Sequence, residues 1–251
     1  MIETRGLTKL FKDKKRGVIR AVDSVSFTSK PGQIYGLLGA NGAGKTTTLR
    51  MLATILEPSE GTAIVCGHDV VEAPQIVRAN VGFLSAATAL YPRLTAEEMV
   101  EYFGRLNGIG EAELKKRVDE IFARLDMNSF RDRLCDKLST GMKQKTSIAR
   151  TLIHDPQVMI FDEPTVGLDI MTARTILEFI RECRQRGKTV IFSTHVMSEV
   201  EKLCDVIGII QSGKLLAEGS LAALREQYQE QDLEEIFVKV VAPHYQPEEA
   251  A

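Results

Sequence analysis

The chain has 251 residues, a formal net charge of −2 and 26% charged residues. This length suffices for one large domain with a buried core, and the weak charge excludes a strong attraction to nucleic acid or to an anionic membrane. Four scattered cysteines favour reduced thiols over a disulfide or zinc framework. No segment resembles a signal peptide, and no apolar run approaches the length of about 18 residues that a membrane helix needs. We therefore expect a cytoplasmic protein that does not cross a bilayer by itself.

The N-terminal third predicts short strands and one helix. The segments IETRGLTKLF and IRAVDSVSFTS alternate with the period of a strand, and an apolar strand, QIYGLLG, precedes the helical pattern KTTTLRMLATIL. The strands GTAIVCG and NVGFLS follow. The basic segment KDKKRG lacks aromatic side chains on which bases stack, so we interpret it as a solvated hairpin tip.

Residues from about 88 to 150 are helical and charge-rich, without a strand pattern, and predict a helical subdomain inserted into an α/β core. Strands and helices then alternate again through QVMIFDEP, ARTILEFIRECRQRG, KTVIFST and VIGIIQSGKLLAEG. This alternation predicts a mostly parallel sheet covered on both faces. We expect one domain over residues 1–240 and a disordered, polar tail over 241–251.

The segment GANGAGKTT matches the pattern G-x-x-x-x-G-K-[ST] of a phosphate-binding loop. It follows a predicted strand and opens a predicted helix, which disfavours the alternative of a flexible glycine turn. Lys45 is placed to reach the β- and γ-phosphates, and the Thr46 hydroxyl is suited to ligate Mg²⁺. The candidate nucleotide-binding residues of this loop are Gly39, Asn41, Gly42, Gly44, Lys45, Thr46 and Thr47.

Polar residues also follow two later predicted strands. Asp162 and Glu163 end the strand VMIF, and His195 follows the strand TVIF. The carboxyl ends of parallel strands form the edge where ligands bind, so Asp162 suits a Mg²⁺ site and Glu163 suits the polarisation of an attacking water. His195 is a candidate to hold the γ-phosphate and orient that water. The alternative for Asp162 and Glu163 is an ordinary polar turn before Pro164, and the alternative for His195 is a purely structural role.

The segment CDKLSTGMKQK predicts a helix start, with Ser139 as N-cap. The start of a helix presents unpaired N–H groups and a positive dipole end, and is therefore suited to an anion. The chain thus has a second candidate phosphate site, nearly a hundred residues after the first.

Together, these motifs resemble those of the ATP-binding cassette (ABC) ATPases, over about residues 2–240. The resemblance implies an α/β P-loop NTPase fold with a mostly parallel core sheet, an N-terminal antiparallel β-subdomain and an inserted helical subdomain. It implies ATP and Mg²⁺ as cofactors and a head-to-tail homodimer in the ATP state. Ser139 and Gly141 of each signature, LSTGM, would then contact the γ-phosphate held by the other copy. By the same resemblance, Phe11 would stack on adenine, with a core aromatic as the alternative, and Asp169 would belong to the loop that crosses the dimer interface.

The resemblance further implies a motor that drives a separate transmembrane permease from the inner face of the cell membrane, with no nucleic-acid partner. The segments around YPRLT and LSTGMKQK are similar to those of sodium-extruding, NatA-type exporters, so we expect sodium efflux. Export of drugs, antibiotics or lipids is the alternative. A soluble ABC ATPase is disfavoured by the single P-loop and by the short spacing to the signature, and a small-molecule kinase leaves LSTGM unexplained.

The chain departs from the family after the strand VGFL, where a glutamine that contacts Mg²⁺ is usual. Ala86 occupies that position here, and a methyl group ligates no metal. ATP binding is expected to survive, while coupling to the permease is placed in doubt. Ser85, Thr88 or a water are the candidates to replace the glutamine.

Overall fold

The computed structural model describes residues 1–13, 17–85 and 89–244. Within these ranges the strands are β1 (Ile2–Asp13), β2 (Gly17–Val25), β3 (Thr28–Ser29), β4 (Ile34–Leu38), β5 (Glu60–Val65), β6 (His68–Asp69), β7 (Val81–Ser85), β8 (Val158–Asp162), β9 (Thr189–Thr194), β10 (Val206–Gln211) and β11 (Lys214–Gly219).

The α-helices of the same ranges are α1 (Lys45–Leu52), α2 (Pro74–Asn80), α3 (Ala96–Leu106), α4 (Glu111–Arg124), α5 (Thr140–Leu152), α6 (Ile170–Gln185), α7 (Met197–Leu203), α8 (Leu221–Tyr228) and α9 (Leu233–Val241). Single 3₁₀ turns occur at Asn128–Phe130, Cys135–Lys137 and Ala242–His244. The sequence analysis did not anticipate α2, a seven-residue helix with proline in its first turn.

A six-stranded sheet forms the centre of the fold, in the order β11-β10-β4-β9-β8-β7. All neighbouring pairs are parallel except β10 and β11, which form an antiparallel hairpin at one edge. Every residue of β4, β8 and β9 is buried, as expected for continuous apolar strands with helices on both faces. The carboxyl ends of these three neighbouring strands therefore lie side by side.

A second, antiparallel sheet contains β2, β1, β5 and β6 in that order, with β3 paired to β1. The pairing of β1 with β2 extends to Asp13 and Gly17. Residues 14–16, which belong to the basic segment interpreted above as a hairpin tip, lie outside the described part of the chain. The segment IRAVDSVSFTS is not one strand as its alternation suggested. It is divided into β2 and β3, and Ser24 adopts a left-handed φ of 53° just before the division.

The helical segment consists of α3, α4 and α5. Helix α3 begins with a capping box, in which Thr95 accepts from the Glu98 amide and Glu98 accepts from the Thr95 amide. Buried residues of all three helices belong to one apolar cluster that also contains Phe161 of β8 and Phe192 of β9. This shared core anchors the helical segment on the central sheet.

The C-terminal region is more ordered than the sequence indicated. Val241 is the last residue of α9, and residues 242–244 form a 3₁₀ turn, although the analysis assigned both to a disordered tail. Apolar residues at helical spacing, including Ile236 and Val240, are buried against β10 and β11 and hold α9 in place. The remaining residues, 245–251, lie outside the described ranges. Among the helices of the described ranges, none has the length and apolar character needed to span a membrane.

An ion pair between a buried lysine and a largely exposed aspartate joins the turns that lead into β8 and β9. The Lys188 ammonium donates to Asp155 Oδ1 at 2.6 Å and to the carbonyl oxygen of Pro156 at 2.5 Å, and its side chain is only 9% exposed. The hydrogen bond from Lys188, opposed by partial burial, holds the pKa of the Asp155 carboxyl below its ordinary value. Because the folded-state pKa is lowered, this pair stabilises the fold above about pH 4 and loses its effect as the carboxylate protonates below that pH.

We predict that Asp155→Asn lowers the melting temperature at pH 7 and has a much smaller effect at pH 3. Asparagine tolerates the left-handed φ of 50° at this position, so the change removes charge without adding strain. Asp126→Asn is the matched control, since Asp126 has a φ of 52° but a side chain that is 96% exposed. Thermal unfolding followed by circular dichroism at both pH values checks the prediction, and equal losses at pH 3 and pH 7 would contradict it.

Candidate functional site

The glycine-rich loop joins the end of β4 to the start of α1. Gly44 is the N-cap of α1, with a φ of 104° and no capping side chain, so the first amides of the helix face the loop. A Cβ at Gly44 would lie 2.6 Å from the carbonyl oxygen of Ala21, and a Cβ at Gly39 would collide with that of Ile210. The loop therefore lies directly on β2 and β10, which only glycine permits at these two positions.

Lys45 lies at the centre of the loop and is 4% exposed. Its ammonium donates to the carbonyl oxygens of Gly39 and Ala40, at 2.8 and 3.0 Å, and lies 2.9 Å from Glu163 Oε1. An ammonium has three protons, so these three partners use its whole donor capacity.

The Asp162 carboxylate receives two hydroxyl donors on the same oxygen. Thr46 Oγ1 donates to Asp162 Oδ1 at 3.0 Å, and Ser193 Oγ donates to the same atom at 2.8 Å. Asp162 is 4% exposed and Ser193 is fully buried. Thr46 and Asp162, the two residues predicted for Mg²⁺, are thus within hydrogen-bonding distance, and Ser193 joins them although it was not among the predicted site residues.

Glu163 follows Asp162 and has a left-handed φ of 47°, which is unfavourable for a residue with a side chain. One carboxylate oxygen contacts Lys45, and the other lies 3.5 Å from His195 Nδ1. Burial alone would raise the pKa of Glu163, but the hydrogen bond and charge of Lys45, helped by His195, hold it below its ordinary value. Glu163 is therefore ionised at neutral pH.

Strand register places a row of polar residues across the end of the sheet. Ser85 of β7 pairs with Asp162 of β8, and Asp162 pairs with Ser193 of β9. Ser85 is one of the candidates to replace the missing glutamine, and this register places it beside the Asp162 position. Ala86 and Thr88, the other residues considered for that role, lie outside the described residues.

A cavity of about 230 Å³ opens above the loop. Six of its lining residues come from the predicted loop, and Glu163 contributes from the end of β8. Ala21 is the remaining lining residue, and it was not predicted because an alanine in a strand carries no chemical signal. Phe11 is 39% exposed and is not among the described residues that line this cavity or form the apolar clusters; its ring centre lies 5.5 Å from the Lys9 ammonium.

The signature segment forms the predicted helix start. Ser139 is the N-cap of α5, and its hydroxyl accepts from the Met142 amide at 3.3 Å. Among the described residues, none from α5 lines the cavity above the loop. The two candidate phosphate sites of one chain are therefore separate surfaces.

The start of α5 lies beside the loop that leads into α6. A Cβ at Gly141 would lie 3.2 Å from Thr172 Oγ1, and Gln144 donates to the carbonyl oxygen of Pro164 at 3.3 Å. Asp169 is the N-cap of α6 and accepts from the amide and the hydroxyl of Thr172. The signature and the predicted interface loop thus form one continuous face.

Comparison with known proteins identifies the family. The family model described as "ABC transporter" matches residues 22–166. The ABC transporter ATP-binding protein NatA of Bacillus subtilis (strain 168) is 44% identical over 239 residues, which cover 95% of this chain and 97% of that protein. This chain belongs to the ABC transporter ATPases.

Further similarities agree with this assignment. A Nod factor export ATP-binding protein I of Paraburkholderia xenovorans (strain LB400) is 41% identical to the ABC ATPase described here, over 89% of this chain and 74% of that protein. A dimeric ATP-binding cassette, solved in a post-hydrolysis state with ADP and Pi, matches with a TM-score of 0.80 and 26% identity, over 88% of this chain and 98% of that one. The expected family, the fold and the assignment as an ATPase are thereby confirmed.

We predict that Lys45→Ala weakens ATP binding by this ABC ATPase at least about tenfold, since a buried cation is removed from the phosphate loop. Titration with a fluorescent ATP analogue without Mg²⁺ measures this effect apart from hydrolysis. Lys116→Ala, which removes a lysine that is 69% exposed on α4, is expected to leave the affinity unchanged. Equal affinities of the Lys45→Ala variant and the unmodified chain would show that the loop does not hold the phosphates.

Proposed function

We propose that the chain is the motor subunit of an exporter and binds two ATP molecules between two head-to-tail copies, driving a separate membrane subunit, with sodium as its cargo. One observation carries the proposal: the phosphate loop and the signature form two separate surfaces of the same chain. Each surface offers helix N–H groups to an anion, and each is half of a site. Two antiparallel copies would complete two such sites.

Within each site, the residues fit ATP with Mg²⁺. Lys45 would move from its carbonyl partners to the β- and γ-phosphates, and the loop amides would surround them. The Thr46 hydroxyl and the Asp162 carboxylate, 3.0 Å apart, are the hard oxygen donors that Mg²⁺ prefers. When bound there, Mg²⁺ would neutralise charge on the phosphate oxygens.

Glu163 is proposed to act on the attacking water. Its carboxylate is ionised and lies at the cavity lined by the phosphate loop, so it is placed to accept a proton from a water in line with the γ-phosphate. His195, 3.5 Å from the same carboxylate, is proposed to hold the γ-phosphate and to orient that water. Phe11, which lies outside the cavity lining, is proposed as the adenine platform because it offers an exposed aromatic face.

The proposed dimer interface contains exposed apolar side chains next to the signature. Val166, Ile170 and Met171 are 43, 86 and 70% exposed. They flank Asp169 on the face that also carries Ser139 at the start of α5, and apolar groups on such a face gain free energy when a second copy covers them. The dimeric arrangement of the solved cassette described above supports this assignment.

We predict that Glu163→Gln retains ATP binding, loses nearly all turnover, and forms a stable dimer with ATP and Mg²⁺. The amide cannot accept the proton of water, so the γ-phosphate stays between the two copies. Gel filtration with and without ATP measures the change. Adding Ile170→Asp to this variant places a charge at the interface and is expected to return it to a monomer; a monomeric Glu163→Gln chain at saturating ATP would contradict the shared site.

A groove between the central sheet and the helical segment is proposed as the surface for the permease. The groove has a volume of about 570 Å³ and is lined by Ile55 and Phe83 from one side and by Phe103 and Leu106 of α3 from the other. Ile55 and Leu106 are 55 and 63% exposed. Phe83 belongs to the central sheet, and Phe103 and Leu106 belong to the helical segment. A part of the membrane subunit bound in this groove would therefore respond to movement of the helical segment relative to the sheet.

We predict that Leu106→Asp abolishes stimulation of ATP hydrolysis by the permease, while hydrolysis by the isolated chain stays within a few-fold of its original rate. A charge in the groove opposes the burial of an apolar partner. Val238→Asp is the matched control, because Val238 is 52% exposed on α9, outside the groove. ATPase assays with and without permease-containing vesicles distinguish the two variants, and equal stimulation in both would place the permease elsewhere.

The cargo is proposed from similarity. The NatA-type relative supports sodium, whereas the relative named for Nod factor export supports an organic cargo. Vesicles that contain this chain and its permease, tested for ATP-driven efflux of sodium and of amphipathic drugs, separate these possibilities. Vesicles with Glu163→Gln provide the background, and drug efflux without sodium efflux would replace the sodium assignment.

A further inference from the structure

Ser193 is a fully buried serine at the end of β9, next to the row of residues that form the site. Its hydroxyl donates to Asp162 Oδ1 at 2.8 Å and accepts from the Glu163 amide at 3.1 Å. A hydroxyl has one proton and two lone pairs, so a serine can serve both neighbours at once.

The two bonds fix different properties of the site. The bond to Asp162 complements that of Thr46, and together they set the orientation of the carboxylate from two sides. The Glu163 amide is shared between the hydroxyl and the carbonyl oxygen of Ser193, each at 3.1 Å. This amide belongs to the residue with a φ of 47°, a conformation that persists only when surrounding bonds hold it.

We propose that Ser193 is a positioning residue of the ATPase reaction, which holds the carboxylate of Asp162 and the backbone of Glu163 in a fixed relation. The inference rests on the roles proposed above for these two acids. Ser193 is not itself among the residues that line the cavity, and its hydroxyl bonds to the acids at the end of β8. It acts through its neighbours, so it influences the metal position and the water-activating carboxylate more than the binding of nucleotide.

The test is the steady-state kinetics of Ser193→Ala. We expect kcat to fall about tenfold or more, which corresponds to the loss of one hydrogen bond to a charged group. The KM for ATP is expected to stay within about twofold, since Lys45 and the loop amides remain. The Mg²⁺ concentration for half-maximal activity is expected to rise, because Asp162 loses one of its two orienting donors.

Three comparisons separate positioning from a general effect on stability. Ser193→Thr keeps the hydroxyl and is expected to recover most of kcat. Thr4→Val removes another buried hydroxyl that accepts from a backbone amide, that of Phe27 at 2.7 Å, and is expected to lower the melting temperature without changing kcat. Ser193→Cys, whose thiol is a weak donor, replaces the alanine variant if that variant does not fold, with the same expected direction.

The outcomes distinguish this inference from the proposed function. If Glu163→Gln loses turnover while Ser193→Ala keeps the original kcat and Mg²⁺ dependence, only the role of Ser193 is overturned. If Glu163→Gln itself keeps turnover, the role of Glu163 fails. A parallel fall of kcat, ATP affinity and melting temperature in Ser193→Ala, or a folded Ser193→Thr chain without recovered turnover, would also overturn the positioning role.

Discussion

The site depends on the burial of three neighbouring parallel strands along their whole length. Because β4, β8 and β9 are covered on both faces, charged groups are excluded from the strands and accumulate where the strands end. At that edge the phosphate loop, Asp162 and Glu163 at the end of β8, and Ser193 near the end of β9 meet within hydrogen-bonding distance. The same packing that stabilises the sheet therefore assembles groups that are more than a hundred residues apart in sequence.

Much of this arrangement could be predicted from the sequence, because it follows from local patterns. Lys45 and Thr46 belong to a loop whose glycines and helix start have fixed spacing, and Asp162 and Glu163 follow an apolar strand of unmistakable pattern. Helix α3 could be predicted from the periodic spacing of its apolar residues alone, without recognition of its capping box. Long periodic elements, and motif residues at the ends of such elements, could thus be predicted from the sequence.

The remaining features depend on contacts that the sequence does not encode locally. Helix α2 was missed because seven residues give too little periodicity, and α9 extends into the predicted tail because its apolar residues pack against β10 and β11. Ser193 was overlooked because its importance arises from strand register with Asp162, more than thirty residues away. The position of Phe11 outside the cavity lining could not be predicted, because the sequence does not define the geometry of the strand that directs its side chain.

The partners of Lys45 have a consequence for the order of events. The Lys45 ammonium is fully occupied, and one of its three partners is Glu163. A phosphate that recruits Lys45 competes with that carboxylate as well as with the two carbonyl oxygens, and loss of the Lys45 contact would raise the pKa of Glu163 from its lowered value. With the role proposed above for Glu163, binding of the nucleotide would thus increase the basicity of the carboxylate that acts on water.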